Sequence, residues 1–353
     1  MPSERDPAAR RPRLTPAVAD TRRAVREALA DLPQGSLVLV ALSGGPDSLA
    51  LAAAAGFEAP RLGLRAGAVI VDHGLQSDSG AVAERAAEAA RVLGLDPVQI
   101  ERVRVEQFGG ATPVGGDEHI RATGGTGGPE AAARAARYAA LEVAAVEHRA
   151  AAVLLGHSLD DQAETVLLGL ARGSGTLSIA GMAAVAGLYR RPLLDIRRAT
   201  LAQACADQGL EPWSDPHNSD ERFARVRVRR RILPNLEEHL DAGIVEALAR
   251  TAAIAREDAE ALDHMVDEVA EELVELEEGG CSLPVAWLAA NPAALRHRMI
   301  RLVARVEFGV ALTRVQTLEV ARLVTDWHGQ GPVHLPGVRV ERTAGRIVFA
   351  LTP

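Results

Sequence analysis

The chain has 353 residues, 48% hydrophobic and 24% charged, with a formal net charge of −8, which suits about two domains with packed cores and confines disorder to short pieces. Its two cysteines, Cys205 and Cys281, lie far apart and exclude a zinc ribbon or disulfide framework. No run approaches ~18 apolar residues and the N-terminus lacks a signal-peptide core, so a soluble, cytoplasmic protein with no membrane association is expected.

Thr15 and Pro16 read as the cap and first residue of a helix that stops near Pro33. Strands and helices then alternate. Strands are predicted at 36–42, 66–74, 98–105 and 151–157, with helices from 48, over 80–94 and over 129–148. Helical spacers of this length imply an α/β fold, a parallel sheet covered on both faces. Residues 109–128, rich in glycine, interrupt the pattern and read as a mobile loop or lid. Beyond about 236 the character turns helical. A long helix over 242–278 is predicted to end at Gly279 and Gly280, followed by helices over 292–308 and 313–327 and a closing β-hairpin around Ala344 and Gly345. Two domains follow, 1–235 and a smaller, mainly helical 236–353, and the long helix offers a surface for a homodimer.

All 39 basic residues are arginine. Without a lysine there is no Walker A loop, pyridoxal Schiff base or adenylated-lysine ligase. Yet Ser43-Gly44-Gly45-Pro46-Asp47-Ser48 joins a buried strand to a helix, where backbone amides, serine hydroxyls and the helix dipole favour an anion. Asp47 would repel phosphates unless a cation lay between them, so it reads as a Mg²⁺ ligand.

Downstream, His157 closes a strand, and Asp160, Asp161 and Glu164 open a helix. Positions 157, 161 and 164 share a face, so the imidazole and two carboxylates can bind a second cation or receive an ammonium and take its proton; an acidic N-capping turn is the bland alternative. Six arginines, Arg222, Arg225, Arg227, Arg229, Arg230 and Arg231, then concentrate charge in an otherwise acidic protein and point to a phosphate-rich partner. Arg296, Arg298, Arg301 and Arg305 form a second basic stripe, equally readable as a solvated face.

SGGPDS resembles the PP-loop of the N-type ATP pyrophosphatases, the adenine nucleotide alpha hydrolase-like enzymes that cleave ATP to AMP and pyrophosphate while adenylating a carbonyl oxygen. Four more stretches resemble one member family, tRNA(Ile)-lysidine synthetase: VDHGLQSDS at 71–79, EAAARAARYAAL at 130–141, GHSLDDQAETVLLGLARGSG at 156–175 and WSDPHNSDERFARVRVRRRILPNLE at 213–237. The last departs from the family's RNRIRH form, with Val226 and Arg230 in place of asparagine and histidine. The resemblance implies ATP as co-substrate, Mg²⁺, free L-lysine and the CAU-anticodon isoleucine tRNA as partners. It implies lysine ligation to C2 of the wobble cytidine through an adenylated base. It places phosphates on Ser43 to Ser48, adenosine beside Asp72 and His73, metal on Asp47 and Asp160, and chemistry on Asp47, His157, Asp161, Glu164 and Arg225. The alternatives are a PP-loop enzyme acting on another tRNA base or carbonyl substrate, and a non-enzymatic adenine-nucleotide sensor. Neither cysteine stands where tRNA thiolation enzymes of this superfamily need one.

Overall fold

A computed structural model describes residues 14–72, 74, 78–103, 129–173, 176–213, 220–277 and 279–352. The chain divides into two compact units, Met1–Gly173 with Gly181–Ala252, and Ser174–Ala180 with Ala253–Pro353.

In the first unit, α1 (Pro16–Leu29) starts where expected, with the Thr15 hydroxyl accepting from the Val18 amide at 3.4 Å. Strand β1 (Leu37–Ala41) is buried on both faces. Helix α2 (Pro46–Glu58) returns the chain to β2 (Arg65–Asp72), and α3 (Ser79–Val92) to β3 (Val98–Arg102). Helix α4 (Pro129–Glu147) then leads to β4 (Ala152–Leu154), which pairs with β1 on the side away from β2. Helix α5 (Leu159–Arg172) follows, and two short strands, β5 (Val185–Ala186) and β6 (Tyr189–Arg190), finish the sheet.

The strand order is β3-β2-β1-β4-β6-β5, parallel except for β5. Because the chain runs outward from β1 through β2 and β3 and then crosses to β4, the connections diverge at the carboxyl ends of β1 and β4, where open α/β sheets bind ligands. On one face pack α1, α2, α3 and a later helix, α6 (Arg198–Asp207), in an alanine- and leucine-rich core. The other face is covered by α4, through Tyr138, Leu141, Ala144 and Ala145. Past α6 come one helical turn, α7 (Ala224–Arg227), a π-helical turn at Val228–Ile232 and α8 (Leu233–His239), with Val228 and Leu233 packed against Leu159 and Ala163 of α5.

Helix α9 (Ile244–Leu273) is shorter than the predicted helix, and the border between the units falls within it, after Ala252. Gly279 and Gly280 do not cap it. Gly279, at φ 80°, lies at the turn of a hairpin between β7 (Glu275–Glu277) and β8 (Gly280–Pro284). Strand β8 then pairs with β11 (Arg346–Leu351), beside β10 (Val338–Thr343) and β9 (Val333–Leu335), in a five-stranded antiparallel sheet ordered β7-β8-β11-β10-β9. The expected terminal hairpin is thus part of a larger sheet. Helices α10 (Val285–Ala290), α11 (Ala293–Phe308) and α12 (Arg314–Thr325) complete the unit. Its core joins Leu283, Leu288, Ile300 and Val320 to Phe349, whose ring lies 6.3 Å from that of Phe308.

Candidate active site

The loop after β1 turns on Gly44, at φ 80°, a conformation that favours glycine. Ser48 ties it into a ring: its hydroxyl accepts from the Ser43 amide at 3.2 Å, donates to the Gly45 carbonyl at 3.0 Å and lies 3.0 Å from the Ser43 hydroxyl. The loop is further held by the Trp213 amide on the Gly44 carbonyl, 2.9 Å, and by the Cys205 thiol on the Pro46 carbonyl, 3.2 Å. Pro46 begins α2, as a residue without an N–H can, so the helix dipole points at the cradle.

Gly156, just past β4, fixes the distance between this loop and the second candidate cluster. A Cβ there would stand 3.1 Å from the Ser48 amide nitrogen and 3.2 Å from the Asp47 carbonyl carbon. A side chain there would require the phosphate loop to give by a few tenths of an ångström.

Asp47 Oδ1 is buried with no hydrogen-bond partner, and Oδ2 lies 3.4 Å from Arg198 Nε. Burial pushes its pKa up to about 6, against the opposing pull of Arg198. An orphaned carboxylate oxygen beside a phosphate cradle fits a divalent cation coordinated by this oxygen and by phosphate oxygens. Among the described residues no cluster of three or more His, Cys, Asp or Glu could hold a metal alone, so a nucleotide would have to complete the shell.

The second cluster is more occupied than its spacing implies. Asp161 Oδ2 accepts from the Ser158 amide at 2.9 Å and hydroxyl at 2.8 Å, so it serves as the capping carboxylate of α5. Its other oxygen receives Arg198 at 2.9 Å and Arg229 at 3.3 Å. Glu164, with a fully buried side chain, pairs with Arg198 at 3.2 Å, Arg229 at 2.7 Å and Arg225 at 3.3 Å. Arg225 also donates to the Thr165 hydroxyl at 2.6 Å. Three carboxylates, Asp47, Asp161 and Glu164, therefore face three guanidiniums, and Arg198 touches all three. Burial opposes ionisation of Asp161, but the Arg198 and Arg225 guanidiniums and the Ser158 amide outweigh it and hold the carboxyl below the usual range. Arg198 also loses solvation, yet Asp161, Glu164 and Asp47 hold it charged.

The expected convergence of His157, Asp161 and Glu164 needs two corrections. Arg198 and Arg229 already occupy the carboxylates that the spacing leaves open to an ammonium. His157 is half-buried with its Nδ1 out of solvent, and desolvation sets its pKa well below the ordinary histidine value, so it stands as neutral imidazole and is a poor base for an ammonium. Asp160 is also engaged: its Oδ2 accepts from the Arg198 amide at 2.7 Å and pairs with Arg197 at 3.5 Å, tying α5 to the start of α6. Asp72 closes β2 and accepts from the Gly74 amide at 3.0 Å, whereas His73 and the segment 109–128 lie outside the described residues.

The arginine run is largely paired internally. Val226 is buried and Val228 packs on α5, while Arg225 and Arg229 reach Glu164, Arg222 pairs with Asp220 and Arg231 with Glu221. The π turn helps set this register, a helix irregularity frequent at functional sites. In the other stripe Arg298 is buried against Asp263 at 3.4 Å. Sequence reasoning missed Arg198 altogether, since nothing in Ile196-Arg197-Arg198-Ala199 marks it.

A phosphate cradle with an orphaned carboxylate, set at the switch point of a doubly wound sheet, defines a PP-loop protein. The family models agree: a PP-loop domain matches residues 18–236 and a TilS substrate binding domain matches 283–348. The chain is 57% identical over 319 residues to the tRNA(Ile)-lysidine synthase of Leifsonia xyli subsp. xyli, covering 90% of this chain and 91% of the relative. It is 54% identical over 338 residues to that of Thermobifida fusca, covering 95% and 98%. A U34-tRNA thiolase, NcsA from Methanococcus maripaludis, shares the fold, with a TM-score of 0.53 at 19% identity over 67% of this chain and 78% of that one. The chain belongs to the tRNA(Ile)-lysidine synthase family.

Proposed function

We propose that this chain carries out the reaction its relatives are named for, joining free lysine to C2 of the wobble cytidine of the CAU-anticodon isoleucine tRNA, with ATP converted to AMP and pyrophosphate. The observation that supports this best is the closeness, across Gly156, of the Ser43 to Ser48 cradle and the Asp161–Glu164 cluster. A phosphate site and a site for a cationic amine are what a base-adenylating ligase needs side by side.

On this reading the amides and hydroxyls of Ser43 to Ser48 hold the β- and γ-phosphates. A divalent cation on Asp47 would neutralise charge on the departing pyrophosphate. The cytidine C2 oxygen attacks the α-phosphate; the C2–O–P bond forms as the bond to pyrophosphate breaks. Arg225 and Arg229 are placed to follow charge from the carboxylates to the phosphate as it develops. That movement frees Asp161 and Glu164 to hold the lysine ammonium. One of these carboxylates takes a proton from the ammonium, and the freed amine attacks C2 as the C2–O bond to AMP breaks. Asp72 and His73 are assigned to adenosine, residues 1–235 to the chemistry and 236–353 to tRNA. Among the described residues no helix is long and apolar enough to cross a membrane, and a cytoplasmic location is part of the proposal.

The first half-reaction tests it directly. Incubation with ATP labelled at the α-phosphate and unmodified isoleucine tRNA, lysine omitted, should leave label on the RNA; its absence, with ATP bound, would remove the adenylated base from the account.

A further inference from the structure

Arg198 reaches both halves of the site. Its Nε lies 3.4 Å from Asp47 Oδ2 at the phosphate loop, its Nη2 2.9 Å from Asp161 Oδ1, and its Nη1 and Nη2 3.3 and 3.2 Å from Glu164 Oε1. The main chain around it is pinned. The Leu159 amide donates to the Ile196 carbonyl at 3.0 Å, and the Arg198 amide donates to Asp160 Oδ2 at 2.7 Å. Arg198 is therefore anchored to α5, the helix that carries Asp161 and Glu164, whereas Asp47 stands on α2. Arg225 and Arg229 come from a third place, α7 and the π turn after it.

Local forces do not favour a guanidinium here. Arg198 is the first residue of α6, where the helix dipole opposes a cation, and its side chain is largely out of solvent. The three carboxylates hold it in place. Around one cation they offer an acceptor each, which matches the three donors of a primary ammonium and falls short of the five of a guanidinium. The longest of these contacts is the one to Asp47, and a divalent cation there would compete with Arg198 for that carboxylate.

We infer that Arg198 occupies the seat of the substrate ammonium in the nucleotide-free chain, and that nucleotide with its cation at Asp47 loosens this hold, so that nucleotide binds first and lysine second. The inference rests on the lysine reading above and adds an order of binding and the residue that imposes it. Once Asp47 is engaged by a cation, Arg198 keeps two of its three acids, and its freed donors can turn to phosphate oxygens while its amide stays on Asp160. Removing the guanidinium then has a distinctive sign. A purely structural arginine leaves ligand binding weaker or unchanged when it is lost; an occupant of the seat leaves it tighter.

Calorimetric titrations of L-lysine and of n-butylammonium, which reports on the ammonium seat alone, test this on the parent and on Arg198→Gln. Each is measured without nucleotide and with Mg²⁺ and α,β-methylene ATP. The parent should bind both amines about tenfold more tightly with nucleotide than without. Nucleotide-free Arg198→Gln should bind both about tenfold more tightly than the nucleotide-free parent and gain little more from nucleotide. Arg198→Lys, which returns a cation to the seat, should restore the parent's behaviour. A gain for n-butylammonium without one for L-lysine would uphold the seat and count against lysine as the substrate. A folded Arg198→Gln chain that binds neither amine more tightly than the parent overturns the inference. If that variant does not melt cooperatively, the parent decides: binding of both amines that nucleotide fails to tighten overturns it equally.

Discussion

Asp47 carries opposite demands in the free and nucleotide-bound chain. Its folded pKa of about 6 lies above the ordinary 3.8, because burial penalises the carboxylate. The penalty is absent below 3.8, grows as pH rises through that value and is complete above about 6. Asp47→Asn should therefore raise nucleotide-free stability by about 1–3 kcal/mol at pH 8 and by nothing near pH 3.5. The same substitution should abolish Mg²⁺-dependent tightening of ATP binding. Urea titrations at the two pH values check the first claim, and calorimetry with and without Mg²⁺ the second. Glu164→Gln has the reverse character: it strands three arginines around a buried neutral amide and should cost about 3–5 kcal/mol at neutral pH. A loss below 1 kcal/mol in urea would mean that solvent already carries that charge. At this scale SGGPDS was legible because its residue types have few other uses at a strand-to-helix turn. Arg198 was not, since its position against Asp47, Asp161 and Glu164 is set by how α6 packs, which leaves no local pattern.

Among the elements, those that bury continuous apolar faces were readable. Strand β1 is an unbroken apolar run, and α1 announces itself with Thr15 and Pro16. Strands β5 and β6, two residues each, are too short to carry a period, and β7 (Glu275–Glu277) is exposed and acidic, so it reads as helix. The glycines after it make the turn that the helical pattern hides. The sheet β7 to β11 makes Phe349 a central core residue of the second unit, and Phe349→Ala should cost about 3–5 kcal/mol in urea unfolding. At the site, the approach of the segment after β4 to the phosphate loop is the constraint to break. Gly156→Ala places a methyl against the Ser48 amide at 3.1 Å. It should weaken Mg·ATP binding more than tenfold while the far-UV spectrum stays native; unchanged affinity would show that the loop can give way.

For the whole molecule, the net charge of −8 sat uneasily with a nucleic-acid partner, and the structure sharpens that tension. Arg222, Arg225, Arg229, Arg231 and Arg298 are neutralised by acids within the chain, so the arginine run contributes less field to an RNA than its count implies. Binding to tRNA should then have a shallow salt dependence, and specificity should come from a few placed contacts. The central claim is that one chain unites an ATP-driven base activation with a lysine site. Its most direct measurement is incorporation of labelled lysine into unmodified CAU-anticodon isoleucine tRNA, with ATP and Mg²⁺, beside elongator methionine tRNA. The account predicts label in the isoleucine tRNA alone, with one AMP released per lysine joined; AMP release that ignores lysine, with no label in either RNA, would contradict it.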